Sequence, residues 1–96
     1  MNRYHLVVVS PVTLTVNEGG TASFQCSASG NPEPTVVWSK LDNQSDIIQS
    51  AVLGGRLELN QVTGNDSGVY QCSSTNILGN SQKVVRLVVN GEFLLV

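Results

Sequence analysis

Apolar and polar residues alternate along most of the chain, in short runs cut by Gly, Pro and Asn. The first run, ending at Val9, predicts a strand that stops at Pro11, because proline has no amide to give a ladder. Val12, Leu14 and Val16 then alternate with Thr13 and Thr15, and Asn17-Glu18-Gly19-Gly20 turns the chain. Ala22, Phe24, Cys26 and Ala28 alternate with Ser23, Gln25 and Ser27; a loop with two prolines follows at 30–34. Val36 and Trp38 alternate with Val37 and Ser39, and a polar loop covers 41–46. Residues 47–53 predict a single weak strand before Gly54-Gly55. Leu57, Leu59 and Val62 point one way, and 63–67 connect to the next run. There Tyr70, Cys72 and Ser74 alternate with Val69, Gln71 and Ser73. Leu78-Gly79-Asn80 signals a hairpin, and Val85, Leu87 and Val89 alternate with Val84, Arg86 and Val88. About eight short strands with no helical period describe an all-β, antiparallel two-layer sandwich.

Composition narrows the function. Ninety-six residues make one domain, with a core at about 8–90 and a linker or tail at 91–96. Fifteen Val against three Ala favours pleated strands over helices. Net charge is −2, and Arg3, Lys40, Arg56, Lys83 and Arg86 are scattered rather than clustered. Nucleic acid and a direct polybasic membrane contact are therefore excluded as partners. Leu6-Val7-Val8-Val9 falls short of the roughly seven apolar residues of a signal-peptide core. One histidine, His5, with two cysteines falls short of the about four ligands of a zinc site. No nucleophile elbow, paired-carboxylate signature or phosphate loop is present, so neither catalysis nor a cofactor is expected.

Cys26 and Cys72 enclose 45 residues, Trp38 lies twelve after the first, and Asp66-x-Gly68-x-Tyr70-x-Cys72 closes the set. These spacings resemble the immunoglobulin superfamily. Gly30-Asn31-Pro32-Glu33-Pro34 before Val36-x-Trp38, Leu57-x-Leu59-x-x-Val62, and Cys72-x-Ser74-x-Asn76-x-x-Gly79 resemble its I-set. Trp38-Ser39-Lys40-Leu41-Asp42 is similar to the repeats of basement-membrane heparan sulfate proteoglycans. Neural adhesion and hemicentin-like matrix modules are nearly as similar. The resemblance implies that Cys26 and Cys72 bridge two sheets, that Trp38 packs on the bridge, and that the Tyr70 hydroxyl bonds back to the turn before it. It also implies a basic partner for Asp66, with Arg56 or Lys40 as the available choices.

The sequence favours a non-enzymatic protein-interaction or spacer module of an extracellular multi-domain matrix or cell-adhesion protein, with two alternatives. In an extracellular matrix or adhesion protein the cysteines form a disulfide, and the sequons Asn43-Gln44-Ser45 and Asn65-Asp66-Ser67 accept glycans. In an intracellular muscle-type module of the same fold the cysteines stay reduced. A third reading takes Leu41-Asp42-Asn43 as an integrin-binding loop triplet, against a plain solvated turn. Strand alternation sends Val37, Val69, Val84, Arg86 and Val88 out of the core, a candidate contact for a protein, a neighbouring module or a second copy.

Overall fold

The computed structural model describes residues 6–41, 46–48, 52–53 and 55–91. Among these residues nine strands follow in order: β1 Leu6–Ser10, β2 Thr13–Asn17, β3 Ala22–Ser29, β4 Thr35–Lys40, β5 Asp46–Ile48, β6 Val52–Leu53, β7 Arg56–Leu59, β8 Gly68–Asn76 and β9 Gly79–Asn90. They form a four-stranded sheet ordered β1-β3-β7-β6 and a five-stranded sheet ordered β2-β9-β8-β4-β5. The sandwich is the one the alternation describes, with three differences.

The chain changes sheets at Pro11, where the Ser10–Pro11 peptide is cis. β1 lies antiparallel to β3, whereas β2 runs parallel to β9 along the edge of the other sheet. Not every pairing is therefore antiparallel. Val12, expected beside Leu14 and Val16, precedes β2 and is exposed, while Leu14 and Val16 pack against the core. Residues 47–53 are not one strand, because β5 pairs with β4 and β6 pairs with β7 in opposite sheets.

The core comes from the inward side of each run. Trp38, Phe24, Tyr70, Leu57, Val62, Val85 and Leu87 are buried, and Leu59 is half-buried against them. Phe24 lies 6.2 Å from the Trp38 ring and 6.4 Å from the Tyr70 ring, within range of favourable aromatic pairing. Cys26 on β3 and Cys72 on β8 form a disulfide across the two sheets, with Cα atoms 6.5 Å apart. Trp38 stands directly opposite Cys72 in the β4–β8 ladder.

Candidate interaction face

Four strands set the outward face of the larger sheet. In the β8–β9 ladder Val69 faces Arg86 and Gln71 faces Val84. In the β2–β9 pair Thr13 faces Arg86 and Thr15 faces Val88. Side chains two apart on a strand share a face. Arg86 is thus ringed by Val69, Val84, Val88 and Thr13. Val84 is 48% exposed and Val88 37%, while Val69 is half-buried. The Arg86 guanidinium has no hydrogen-bond or ion-pair partner among the described residues. Beside it Val12, Thr13, Val69 and Val84 line a shallow depression of about 160 Å³.

Val37 is not part of this ring. It faces Ser73, and Gln71 and Ser73, joined by an Nε2–Oγ hydrogen bond of 3.3 Å, lie between it and Val84. Alternation alone gives sides of strands and not neighbours across them. Among the described residues five exposed apolar side chains escaped it: Val8, Val12, Leu41, Ile77 and Leu78. The hairpin turns at Ile77-Leu78, one residue before the expected signal, and Gly79 opens β9 at φ +150°. Two adjacent apolar residues between Asn76 and Gly79 were the available signal.

The remaining site residues sit on the connection before β8, where Gly64–Asp66 form one turn of 3₁₀ helix. The Asp66 carboxylate accepts the Thr63 amide at 2.8 Å, and the Tyr70 hydroxyl donates to the Asp66 carbonyl. Neither basic candidate bonds the Asp66 carboxylate. Lys40 Nζ instead donates to the Asn65 carbonyl at 2.9 Å, and Arg56 Nε donates to Ser23 Oγ at 3.1 Å. A carboxylate filling a backbone cap at the head of a turn already has a donor for its charge. Asn65 is exposed on this turn, and Ser67 Oγ accepts the Val89 amide at 2.9 Å. Asn43, Asp42, His5 and the segment 92–96 lie outside the described residues. Among the described residues no group of three or more His, Cys, Asp or Glu side chains converges as a metal site would require. No helix among them is long and apolar enough to cross a membrane.

The family model of the immunoglobulin domain matches residues 6–76. The mouse peroxidasin homolog is 35% identical over 84% of the chain, which spans 6% of that protein. The mouse basement membrane-specific heparan sulfate proteoglycan core protein is 41% identical over 86% of the chain, here 2% of its length. Human vascular cell adhesion protein 1 is 36% identical over 88% of the chain, here 11% of its length. Among solved structures, extracellular domains 3–5 of Drosophila OTK superpose with a TM-score of 0.74 at 28% identity, over 88% of this chain and 31% of that one.

Proposed function

The chain belongs to the immunoglobulin domain family, and from that premise we propose a non-enzymatic protein-interaction or spacer module of an extracellular multi-domain protein. Its relatives include matrix and cell-adhesion proteins, of which it spans at most a small part. The observation that carries the reading is Arg86, without a partner among the described residues, inside a ring of valines on an exposed sheet. An arginine on an apolar surface is a strong anchor for a partner carboxylate once both are desolvated. Val37 widens the same face on β4. The module itself does no chemistry in this reading, and its immunoglobulin scaffold serves to hold the face rigid.

The disulfide between the sheets favours an oxidising compartment over a muscle-type cytoplasmic setting. Glycans on Asn43 and Asn65 belong to the same reading, and glycosidase treatment of secreted protein tests them by mass. The contact itself is tested by surface plasmon resonance against a panel of purified matrix and adhesion proteins. Val84→Glu with Arg86→Ala is expected to weaken a partner at least tenfold with the melting temperature unchanged. Loss of several valine and arginine contacts at once carries about that penalty. Binding that both substitutions leave intact, or no binding anywhere on the panel, overturns the proposed face.

A further inference from the structure

Among the described residues the longest strand, β9, is paired on both sides over only part of its length. β8 covers it from Gly79 to Leu87, but β2 lies beside Arg86 to Asn90 alone. Backbone groups alternate sides along a strand, and three bonds fix the parity here. The Arg86 amide donates to Val12 and the Asn90 carbonyl accepts from Glu18, both away from β8. The Val89 amide turns the other way, to Ser67 on the β8 side. Asn80, Gln82 and Val84 therefore direct their amides and carbonyls away from β8. None of those groups has a partner among the described residues, and all three residues are exposed.

Such a row of free donors and acceptors is a template for another strand. Proteins usually blunt it with proline or several charges, yet this segment has no proline and Lys83 as its one charge. Exposed apolar residues gather around it. Val12 stands at its lower end and Ile77 and Leu78 at its upper end, with Val84 on it. Val8 is on β1, which runs alongside β9 in the other sheet. The upper end is held in place: Asn76 Nδ2 donates to the Pro32 carbonyl at 2.8 Å, and the Leu78 amide donates to Asn76 Oδ1 at 2.8 Å.

We infer that a second copy of this chain pairs with the free edge of β9, antiparallel and about a two-fold axis. The edge is self-complementary in that arrangement. The amide rows of Asn80, Gln82 and Val84 face each other in the middle, and each copy's Ile77-Leu78 tip comes down beside Val12 and Val84 of the other. A two-fold contact of this kind closes at the dimer and leaves no free end for fibre growth. The two Lys83 side chains oppose it weakly, so the pairing strengthens as salt screens them. This contact lies at the edge of the sheet rather than on the valine face and stands or falls apart from it.

The test is sedimentation equilibrium together with amide hydrogen exchange on the intact chain up to about 1 mM, a range that detects weak self-association. The mass should rise from 10.2 kDa toward twice that value. The Asn80, Gln82 and Val84 amides should slow by about tenfold or more as the dimer fills, while Ser81 and Lys83, bonded to β8, do not change. Gln82→Pro removes only an outward amide and should abolish the dimer at an unchanged melting temperature. A monomer throughout the range overturns the inference. So does a dimer in which the three amides stay fast, or one lost in Arg86→Ala and kept in Gln82→Pro, which places the contact on the face. An added extended peptide that protects these amides while the chain stays monomeric names a different occupant and also overturns it.

Discussion

Gly55 carries three constraints in one residue. Its φ is +82°, a region side-chain-bearing residues avoid, and a Cβ there would meet the Cys26 carbonyl oxygen at 2.3 Å. Its own carbonyl accepts from the Cys26 amide at 2.9 Å and from Trp38 Nε1 at 3.0 Å. One glycine thus fixes the backbone beside the disulfide and satisfies the only polar atom of the buried indole. Gly55→Ala is expected to destabilise by more than about 1 kcal/mol, since alanine cannot take this conformation without moving β3. Trp38→Ala removes the ring as well and should cost about 3–5 kcal/mol. Tyr70→Phe, which leaves the Asp66 carbonyl without its donor, should cost about 1–3 kcal/mol. Urea midpoints order the three. A Gly55→Ala variant as stable as the parent contradicts the close approach to Cys26.

At the scale of strands, register decides which residues meet. β9 offers a direct check because its two faces differ by one position: Val85 is 1% exposed and Val84 is 48% exposed. Val84→Glu should change stability by no more than about 0.5 kcal/mol, whereas Val85→Glu buries a charge and should unfold the domain. Circular dichroism melts of the pair read the register without any partner. If Val84→Glu unfolds the chain and Val85→Glu does not, β9 is slipped by one residue. Alternation made most strands legible because each buries one side: the Ala22-to-Ala28 and Tyr70-to-Ser74 runs are β3 and β8. It failed where a strand is too short to alternate, at β5 and β6, and where an edge strand takes its direction from a crossing at Pro11. The contact face was legible by side but not by neighbour. Val69 meets Arg86 only because β8 and β9 pair in one register, and the β4–β8 register sets Val37 apart, opposite Ser73. The Asp66 carboxylate answers to a local contact of the same kind. The resemblance implies a basic partner, but the carboxylate accepts the Thr63 amide three residues back, while Lys40 and Arg56 donate elsewhere.

For the molecule as a whole, the question is what holds one sheet on the other. β4, β8 and β9 are laced together by continuous ladders, and β3 with β7 likewise, but no ladder joins the two groups. Between them stand apolar packing, the hydrogen bond from Trp38 Nε1 to the Gly55 carbonyl, and the bridge from Cys26 to Cys72, which closes a loop with a sequence separation of 46. Closing a loop of that length in the unfolded chain is worth about 4 kcal/mol in the chain-entropy account. A domain of this size has about 5–15 kcal/mol in all, so the bridge is a large share of its stability. Reductant should therefore lower the urea midpoint strongly and raise the slope somewhat, because the folded core is not altered while the unfolded chain, freed of its closed loop, exposes more surface. Both thiols should resist labelling in native oxidised protein and react after reduction, and intact mass should show the two hydrogens that reduction adds. Equal midpoints with and without reductant would mean that packing alone secures the sheets. Labelling of both cysteines in native protein kept from reductant would go further, since it removes the bridge and with it the physical reason for placing this module outside the cell.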